Sequence, residues 1–303
     1  MTWMPRLAGL ALSLALAACS GSETVDAGGA HAGLREFSID APALTESSGL
    51  ARSQREAGLY WSHNDSGGPT AAHAFDEAGH LRATLTLGGT INLDWEDMSS
   101  FTEDGAPRLL LADVGDNGAI RPLLTLYVAD EPALPAGNAP ELGAAPLRTL
   151  LMAYPDGPRD CESVAVDAQE GFFYLLSKRD AVPRLYRVPL RPALPLVVAE
   201  ALGEIAIPRA PADATNPERI NWVTGMDFDP SGTRLAMVTL TQAYIYERAP
   251  GQAWAEAVQR SPRALDLPDY PQIEAVTWTA DGAALLITSE GSPTPAARIA
   301  VTR

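Results

Sequence analysis

Three glutamates occupy the same position in a pattern that recurs along this 303-residue sequence. Each copy has a polar residue, an apolar residue two places on, a turn, and then an apolar run. The five copies begin at Ser48, Glu96, Glu162, Thr224 and Glu274. Carboxylates that converge must be protonated, move apart or hold a cation. Oxygen ligands of this kind suit Ca²⁺ better than zinc or copper, so the pattern predicts a calcium site made by these five residues.

The element that follows each turn has the length and apolar content of a buried strand bounded by turn residues. Consecutive copies are separated by 48, 66, 62 and 50 residues, which is close to four strands with their loops. Repeats of this size are typical of the blades of a β-propeller. The predicted second strands are Leu59–His63, Leu109–Val114, Phe172–Ser177, Arg234–Leu240 and Ala284–Ser289.

The fold class predicted from these repeats is all-β, a five-bladed β-propeller. The last copy leaves room for only three strands, and the alternating residues of Arg35–Asp40 can supply the fourth. A ring closed by this N-terminal strand has no open sheet edge to invite aggregation. Six blades are the alternative, if the long second copy from Glu96 to Asp160 contains an additional one.

The first strand of each propeller blade lines the central channel, so the five pattern residues are expected to form a ring. The apolar residue two places on is expected to face the same side of its strand, deeper in the channel. Second strands return to the ring, and their polar ends are expected to surround the same mouth. These polar residues are Asn64, Asp65, Asp113, Asp116, Asn117, Lys178, Arg179 and Glu290.

The residue types at this mouth indicate two kinds of chemistry. Lys178 and Arg179 could clamp a phosphate or carboxylate, and the guanidinium could do so with two parallel hydrogen bonds. Asp65 or Asp113 could orient or activate water if a metal supports the attack. The remaining polar residues of the mouth are candidate ligand contacts. The structural alternative is that Asp65 and Asp116 cap turns, and that the two basic residues form surface salt bridges.

The first 18 residues have the pattern of a signal peptide, with Arg6 followed by the apolar run Leu7–Ala18. This run is short for a membrane span. It ends in Leu16-Ala17-Ala18-Cys19, which resembles the bacterial lipobox, and an ordinary cleaved signal peptide is the alternative. The predicted organisation is a lipoprotein signal peptide at 1–18, an acylated Cys19 with a flexible tether at 19–33, and a propeller domain at 34–303.

This organisation predicts an exported protein held to the bacterial cell envelope by lipid alone, since no second hydrophobic segment follows. Ser20, directly after the cysteine, resembles an outer-membrane sorting pattern, so the periplasmic face of the outer membrane is the expected location.

Composition and motifs exclude several classes of function. The formal net charge is −16, and Lys178 is the one lysine among 22 basic residues. Such a chain is a poor binder of nucleic acid, whose phosphates must be neutralised. The sequence has no phosphate-binding glycine loop, nucleophile elbow, zinc spacing or dinucleotide fingerprint. Cys161 lies between Asp160 and Glu162, which favours a buried structural thiol over a nucleophile.

The order Ser48, Glu96, Glu162, Thr224, Glu274 at the starts of five inner strands resembles the calcium-activated nucleotidase (apyrase) family. That resemblance implies a five-bladed propeller with calcium in its central tunnel. It also implies that Asp65 falls near an acidic active-site position and that Lys178-Arg179 replaces a pair of basic residues. The long basic substrate segments of that family have no clear counterparts here.

A second resemblance is to a widespread group of bacterial lipoprotein propellers of uncertain activity. This resemblance implies little about function, although its sequence motifs match more closely than those of the nucleotidases. The matching motifs are Glu46–Leu50, His63–Gly67, Asp94–Asp97, Asp113–Asn117 and Tyr154–Gly157.

Three functions are therefore considered. The favoured one is a lipid-anchored propeller with a central calcium site that binds a small anionic molecule or an envelope protein at the channel mouth. The second is a calcium-dependent hydrolase of phosphoesters or phosphoanhydrides in small molecules. The third is a lactonase- or phytase-like propeller, which normally has six blades, so the number of blades separates it from the others.

Overall fold

A computed structural model describes Met1 and residues 33–302, except Ala136 and Asn138. The predicted signal peptide, Cys19 and the tether lie outside the described residues. One compact unit begins at Gly33. Within the described part of the chain, no helix is long and apolar enough to cross a membrane.

The described residues form 22 strands and two helices of four residues each. The strands before the first helix are β1 (Leu34–Ile39), β2 (Ser47–Arg52), β3 (Leu59–Asn64), β4 (Ala71–Asp76), β5 (Leu81–Leu87), β6 (Trp95–Glu103), β7 (Ala106–Asp113), β8 (Leu124–Asp130), β9 (Glu141–Ala144), β10 (Arg148–Ala153), β11 (Cys161–Asp167), β12 (Phe172–Ser177), β13 (Arg184–Pro189), β14 (Leu196–Val198) and β15 (Glu200–Glu204). The remaining elements are α1 (Glu218–Asn221), β16 (Val223–Phe228), β17 (Arg234–Thr239), β18 (Ala243–Glu247), α2 (Trp254–Ala257), β19 (Arg263–Leu265), β20 (Ile273–Trp278), β21 (Ala284–Ser289) and β22 (Thr294–Ala300).

These strands form five separate sheets, which confirms the predicted five-bladed propeller. From the inside outwards, the blades are β2-β3-β4-β5-β9, β6-β7-β8-β10-β14, β11-β12-β13-β15, β16-β17-β18-β19 and β20-β21-β22-β1. Each inner strand contacts the inner strand of the next blade, and β20 contacts β2 to complete the circle.

The ring is closed by the N-terminal strand, as the sequence predicts. β1 pairs antiparallel with β22, from Leu34 opposite Ile299 to Ile39 opposite Thr294. The long second copy contains no sixth blade among the described residues. Its additional strand β9 instead pairs in parallel with β5 of the preceding blade. In the same way, β14 pairs in parallel with β10.

The hydrophobic core consists of five clusters, each packed between two neighbouring blades. The apolar residues two places after the ring positions belong to these clusters and do not line the channel, which corrects the sequence-based expectation. The reason is a β-bulge in every inner strand, since an extra residue changes which side chains share a face. These apolar residues are Leu50, Met98, Val164, Met226 and Val276.

Candidate functional site

The five predicted ring residues are the bulged residues of the five inner strands. In the first blade, Ser47 pairs with Asn64 and Gly49 pairs with His63, so Ser48 has no opposite residue. The same break in register occurs around the other four ring residues, which are Glu96, Glu162, Thr224 and Glu274. A bulge re-aims a side chain and commonly lies next to a functional site. The repeat in the sequence therefore marks a recurring backbone irregularity at one end of the channel.

Lys178, which follows the last residue of β12, is buried among the ring glutamates. Its ammonium group donates a hydrogen bond to Glu162 Oε2. Burial alone would lower the pKa of Lys178, but the charges of Glu162, Glu274 and Glu96 raise it above its usual value. The one lysine of the chain thus places a positive charge inside the ring.

The two hydroxyl groups of the ring bind main-chain carbonyls of the next blade. Ser48 Oγ donates to Glu96 O at 2.7 Å, and Thr224 Oγ1 donates to Ile273 O at 2.8 Å. Each hydroxyl oxygen keeps lone pairs that a cation could use, whereas the ammonium of Lys178 already binds Glu162 and competes with an ion on the channel axis.

The ring glutamates have raised pKa values. Burial is the main cause of the rise at Glu162, to about 8, and the charges of Asp160 and Glu274 add to it while Lys178 opposes it. Burial also raises the pKa of Glu274 to about 7. The pKa of Glu96 lies well above its usual value because of burial and the nearby charge of Glu162. Charging the ring is therefore unfavourable near neutral pH.

These shifts predict that stability falls as pH rises in protein kept free of divalent cations. The folded state binds more protons than the unfolded state, and this advantage is lost as pH passes through the folded pKa values of about 7 and about 8. The urea midpoint is expected to be lower at about pH 8.5 than at about pH 5.5, with EDTA present. A midpoint that increases over this interval would contradict the raised pKa values.

A second cluster of carboxylates lies at the mouth. Asp65, Asp94 and Glu96 each offer an oxygen within 4.8 Å of the others. They come from the loop after β3, the residue before β6, and β6 itself. Burial is the main cause that raises the pKa of Asp94 to about 6, and the charge of Asp65 raises it further. The cluster thus combines close approach with poor solvation, which favours a bound cation.

Glu96 is the buried member of this cluster, with 3% of its surface exposed. The one hydrogen bond to its carboxylate within the described residues is a long contact of 3.3 Å from Ser48 Oγ to Oε2. Gly115 packs tightly beside it, because a Cβ atom at this position would lie 2.3 Å from Glu96 Oε1 and 2.5 Å from Asp94 Oδ2. A buried carboxylate with an unpaired oxygen, next to two other acids, fits a hard cation.

The residue directly before each inner strand lies two places before the ring position, and we call these five residues the upper ring: Glu46, Asp94, Asp160, Trp222 and Gln272. The sequence-based site omits all five, although the same repeat would have identified them. Gln272 Nε2 donates to Glu274 Oε1 at 3.3 Å. Asp160 accepts a hydrogen bond of 2.6 Å from Arg179 Nε. The upper ring thus orients the polar groups of the mouth.

The two predicted catalytic carboxylates have different surroundings. Asp113 is 1% exposed and accepts a hydrogen bond of 2.6 Å from Arg121 Nη2. It also accepts bonds from the main-chain N–H groups of Leu93 at 3.2 Å and Asp94 at 3.3 Å. Asp113 therefore ties two mouth loops together, whereas Asp65 belongs to the carboxylate cluster and also accepts a hydrogen bond from the N–H group of Ser66.

Three of the predicted ligand contacts stabilise loops around the mouth. Asn64 Oδ1 accepts hydrogen bonds from the N–H groups of Thr45 and Glu46 at 2.9 and 3.0 Å. Asp116 is buried and accepts bonds from two N–H groups of its own turn, those of Ile120 and Arg121. Asn117 is exposed and accepts a hydrogen bond from Arg179. Such contacts are typical of Asx-type turns and loop braces.

Arg179 and Glu290 are also partly open to solvent. Arg179 stacks over the Trp222 ring at 4.3 Å, and 35% of its side chain is exposed. Burial raises the pKa of Glu290, and the charges of Asp65 and Glu46 raise it further. The mouth therefore presents a guanidinium that stacks on an aromatic ring and pairs with one acid of the mouth, Asp160.

Cys161 is fully buried, and burial raises the pKa of its thiol to about 12. It has the character of a structural residue, as the sequence indicates.

Comparison with known proteins finds only distant structural similarity. No family model matches the chain, and no curated protein matches it either. Among solved structures, Kuenenia stuttgartiensis hydrazine synthase is similar over 84% of this chain and 72% of its own, with 11% identity and a TM-score of 0.43. A candidate 6-phosphogluconolactonase from Bacteroides uniformis is similar over 87% and 70%, with 15% identity and a TM-score of 0.42. At these values the similarities carry no argument about function.

Proposed function

We propose that this protein is an exported, lipid-anchored β-propeller that binds a calcium-type cation at its channel mouth. The ion is held by Asp65, Asp94 and Glu96, and together with Arg179 it binds a small anionic molecule or an acidic group of an envelope protein. The observation that carries the proposal is the approach of the three carboxylates to within 4.8 Å of one another from two chain segments, the loop after β3 and the start of β6.

The chemistry of the donors supports a cation at this cluster rather than on the channel axis. Three carboxylates with mutually close oxygens form a hard, anionic donor set that Ca²⁺ can complete with main-chain oxygens and water. On the axis, the ammonium of Lys178 already neutralises part of the ring charge. The proposed cation site thus keeps Glu96 of the predicted ring and adds Asp65 and Asp94.

The charge of the mouth supports an anionic ligand. A bound divalent ion would convert the acidic cluster into a positive centre, and Arg179 offers a partly exposed guanidinium at the same mouth. Arg forms paired hydrogen bonds with carboxylate and phosphate groups. Calcium-dependent hydrolysis of a phosphorylated small molecule is the second candidate, favoured by the pairing of a cation site with this arginine.

Thermal unfolding of residues 33–303, which contain all five blades, tests the cation site. Calcium at about one hundred times its dissociation constant is expected to add about 2.7 kcal/mol of stability relative to EGTA. Asp94→Asn is expected to remove this effect, because it takes away one carboxylate charge. Gly115→Ala is expected to remove it while keeping every carboxylate, since the added Cβ displaces Glu96 and Asp94.

The matched control is Asp180→Asn, a carboxylate that pairs with Arg159 outside the cluster. This variant is expected to keep the full calcium effect. If calcium leaves the melting temperature of the wild-type protein unchanged, the cation site is wrong. Phosphate release from nucleotides and phosphate monoesters with calcium present then separates the hydrolase from the binding protein.

A further inference from the structure

The outer edge of the second blade carries an unusual amount of exposed apolar surface. Nine large apolar side chains are exposed in the part of residues 33–302 that the structure describes, and five of them lie at this edge. Leu151 of β10 is 37% exposed, and Leu196 and Val198 of β14 are 54% and 64% exposed. Leu147 and Leu194 flank these strands.

The outermost strands of the other four blades all carry charged residues. These are Arg35 and Glu36 in β1, Glu141 in β9, Glu200 and Glu204 in β15, and Arg263 in β19. β14, with the sequence Leu-Val-Val, has none. Charges on edge strands protect a sheet from pairing with other chains, so β14 is the edge that lacks this protection.

The main chain of β14 is also positioned for pairing. Its bonds to β10 run from Leu151 N–H to Pro195 O at 2.7 Å, and from Ala199 N–H to Ala153 O at 2.9 Å. Pairing in a parallel ladder uses alternate residues, so the N–H and C=O groups of Leu196 and Val198 point away from β10. Among the described residues these groups have no other backbone partner, so they form a short row of donors and acceptors along an apolar edge.

We propose that a second copy of this chain pairs antiparallel with β14 along this edge, so that two propellers form a dimer. A two-fold axis through Val197 places Leu196 of one protomer opposite Val198 of its partner. The outward groups of these residues then exchange N–H···O=C bonds on both sides of the axis, as a hydrogen-bonded antiparallel pair requires. Leu151, Leu196 and Val198 of both protomers then form one apolar stripe.

Among the surfaces of the chain, this uncharged edge is the one where charge least opposes contact between two copies. With a formal net charge of −16, contacts between copies elsewhere bring like charges together. The uncharged edge avoids that repulsion, and a two-fold interface requires a surface that complements itself. This interface is independent of the channel mouth and of the proposed cation site.

Sedimentation velocity of residues 33–303 over about 1 to 100 µM tests the dimer. The wild type is expected to shift from monomer to dimer with concentration. Val198→Lys is expected to weaken association at least about tenfold, because each dimer then holds two like charges in the apolar stripe. Ala264→Lys, on the outer strand β19 of another blade, adds the same charge elsewhere and is expected to dimerise as the wild type does.

Hydrogen exchange distinguishes strand pairing from loose apolar contact. The amides of Leu196 and Val198 are expected to gain protection as the concentration rises, and to lose it in Val198→Lys at an unchanged melting temperature. Monomers at every concentration, or a dimer that Val198→Lys does not weaken, would overturn the proposal.

Discussion

Lys178→Met is expected to destabilise the protein by about 3–5 kcal/mol near pH 8, the usual cost of leaving buried charges without their partner. The substitution keeps an unbranched side chain of similar size and removes the charge that lies among Glu96, Glu162 and Glu274. These three glutamates would then have to remain protonated or repel one another in a poorly solvated channel. Urea unfolding at fixed pH with EDTA present measures the loss.

The loss is expected to shrink at about pH 5.5, which lies below the folded pKa values of about 7 for Glu274 and about 8 for Glu162. Adding Glu162→Gln to Lys178→Met is expected to restore part of the stability at high pH, because one of the unpaired charges is removed. Equal losses at both pH values would mean that Lys178 contributes mainly by packing.

Glu96 connects this central charge network to the proposed cation site. It belongs to the ring that surrounds Lys178, and also to the cluster with Asp65 and Asp94. A cation bound at the mouth lowers the pKa of Glu96 and thus changes the charge that faces Lys178. Calcium is therefore expected to flatten the decline of stability with pH, since it favours the ionised carboxylates.

The fold could be predicted from the sequence because every blade contains the same local sequence pattern. The repeat recurs at the spacing of a blade, with a polar residue at the start of the inner strand, a turn and an apolar second strand. The N-terminal strand supplies the fourth strand that the last copy lacks. The strands β9 and β14 could not be predicted in this way. They join the sheet of the preceding blade, and that pairing depends on where long loops return in space.

The site was harder to predict because it depends on backbone detail. The repeat identified Ser48 and its four equivalents, yet their positions are bulges, and this reverses the expected direction of the apolar residues that follow. The sequence does not indicate whether a polar residue after a strand contacts a ligand or hydrogen-bonds to a neighbouring loop. Asp113 and Asp116 bind main-chain groups, whereas Lys178 turns into the channel.

Removing residues 33–40 is expected to abolish the cooperative fold. Without β1, the six residues of β22 from Thr294 to Ile299 lose their partners, and the sheet has an open apolar edge. Ile39 is 1% exposed in the cluster that joins the first and last blades. Ile39→Ala alone is expected to cost about 2–5 kcal/mol, a large part of the usual stability of a domain.

Circular dichroism and size-exclusion chromatography of the truncated chain are expected to show lost cooperative unfolding and aggregation. Ser38→Ala, on the exposed side of the same strand, is the matched control and is expected to leave stability within about 0.5 kcal/mol. A synthetic peptide of residues 33–41 is expected to restore the fold, and the same peptide with Ile39→Asp is not. β1 is the one strand of the last blade that comes from the other end of the chain. A truncated protein that folds normally would therefore mean that closure by β1 contributes little to the stability of the ring.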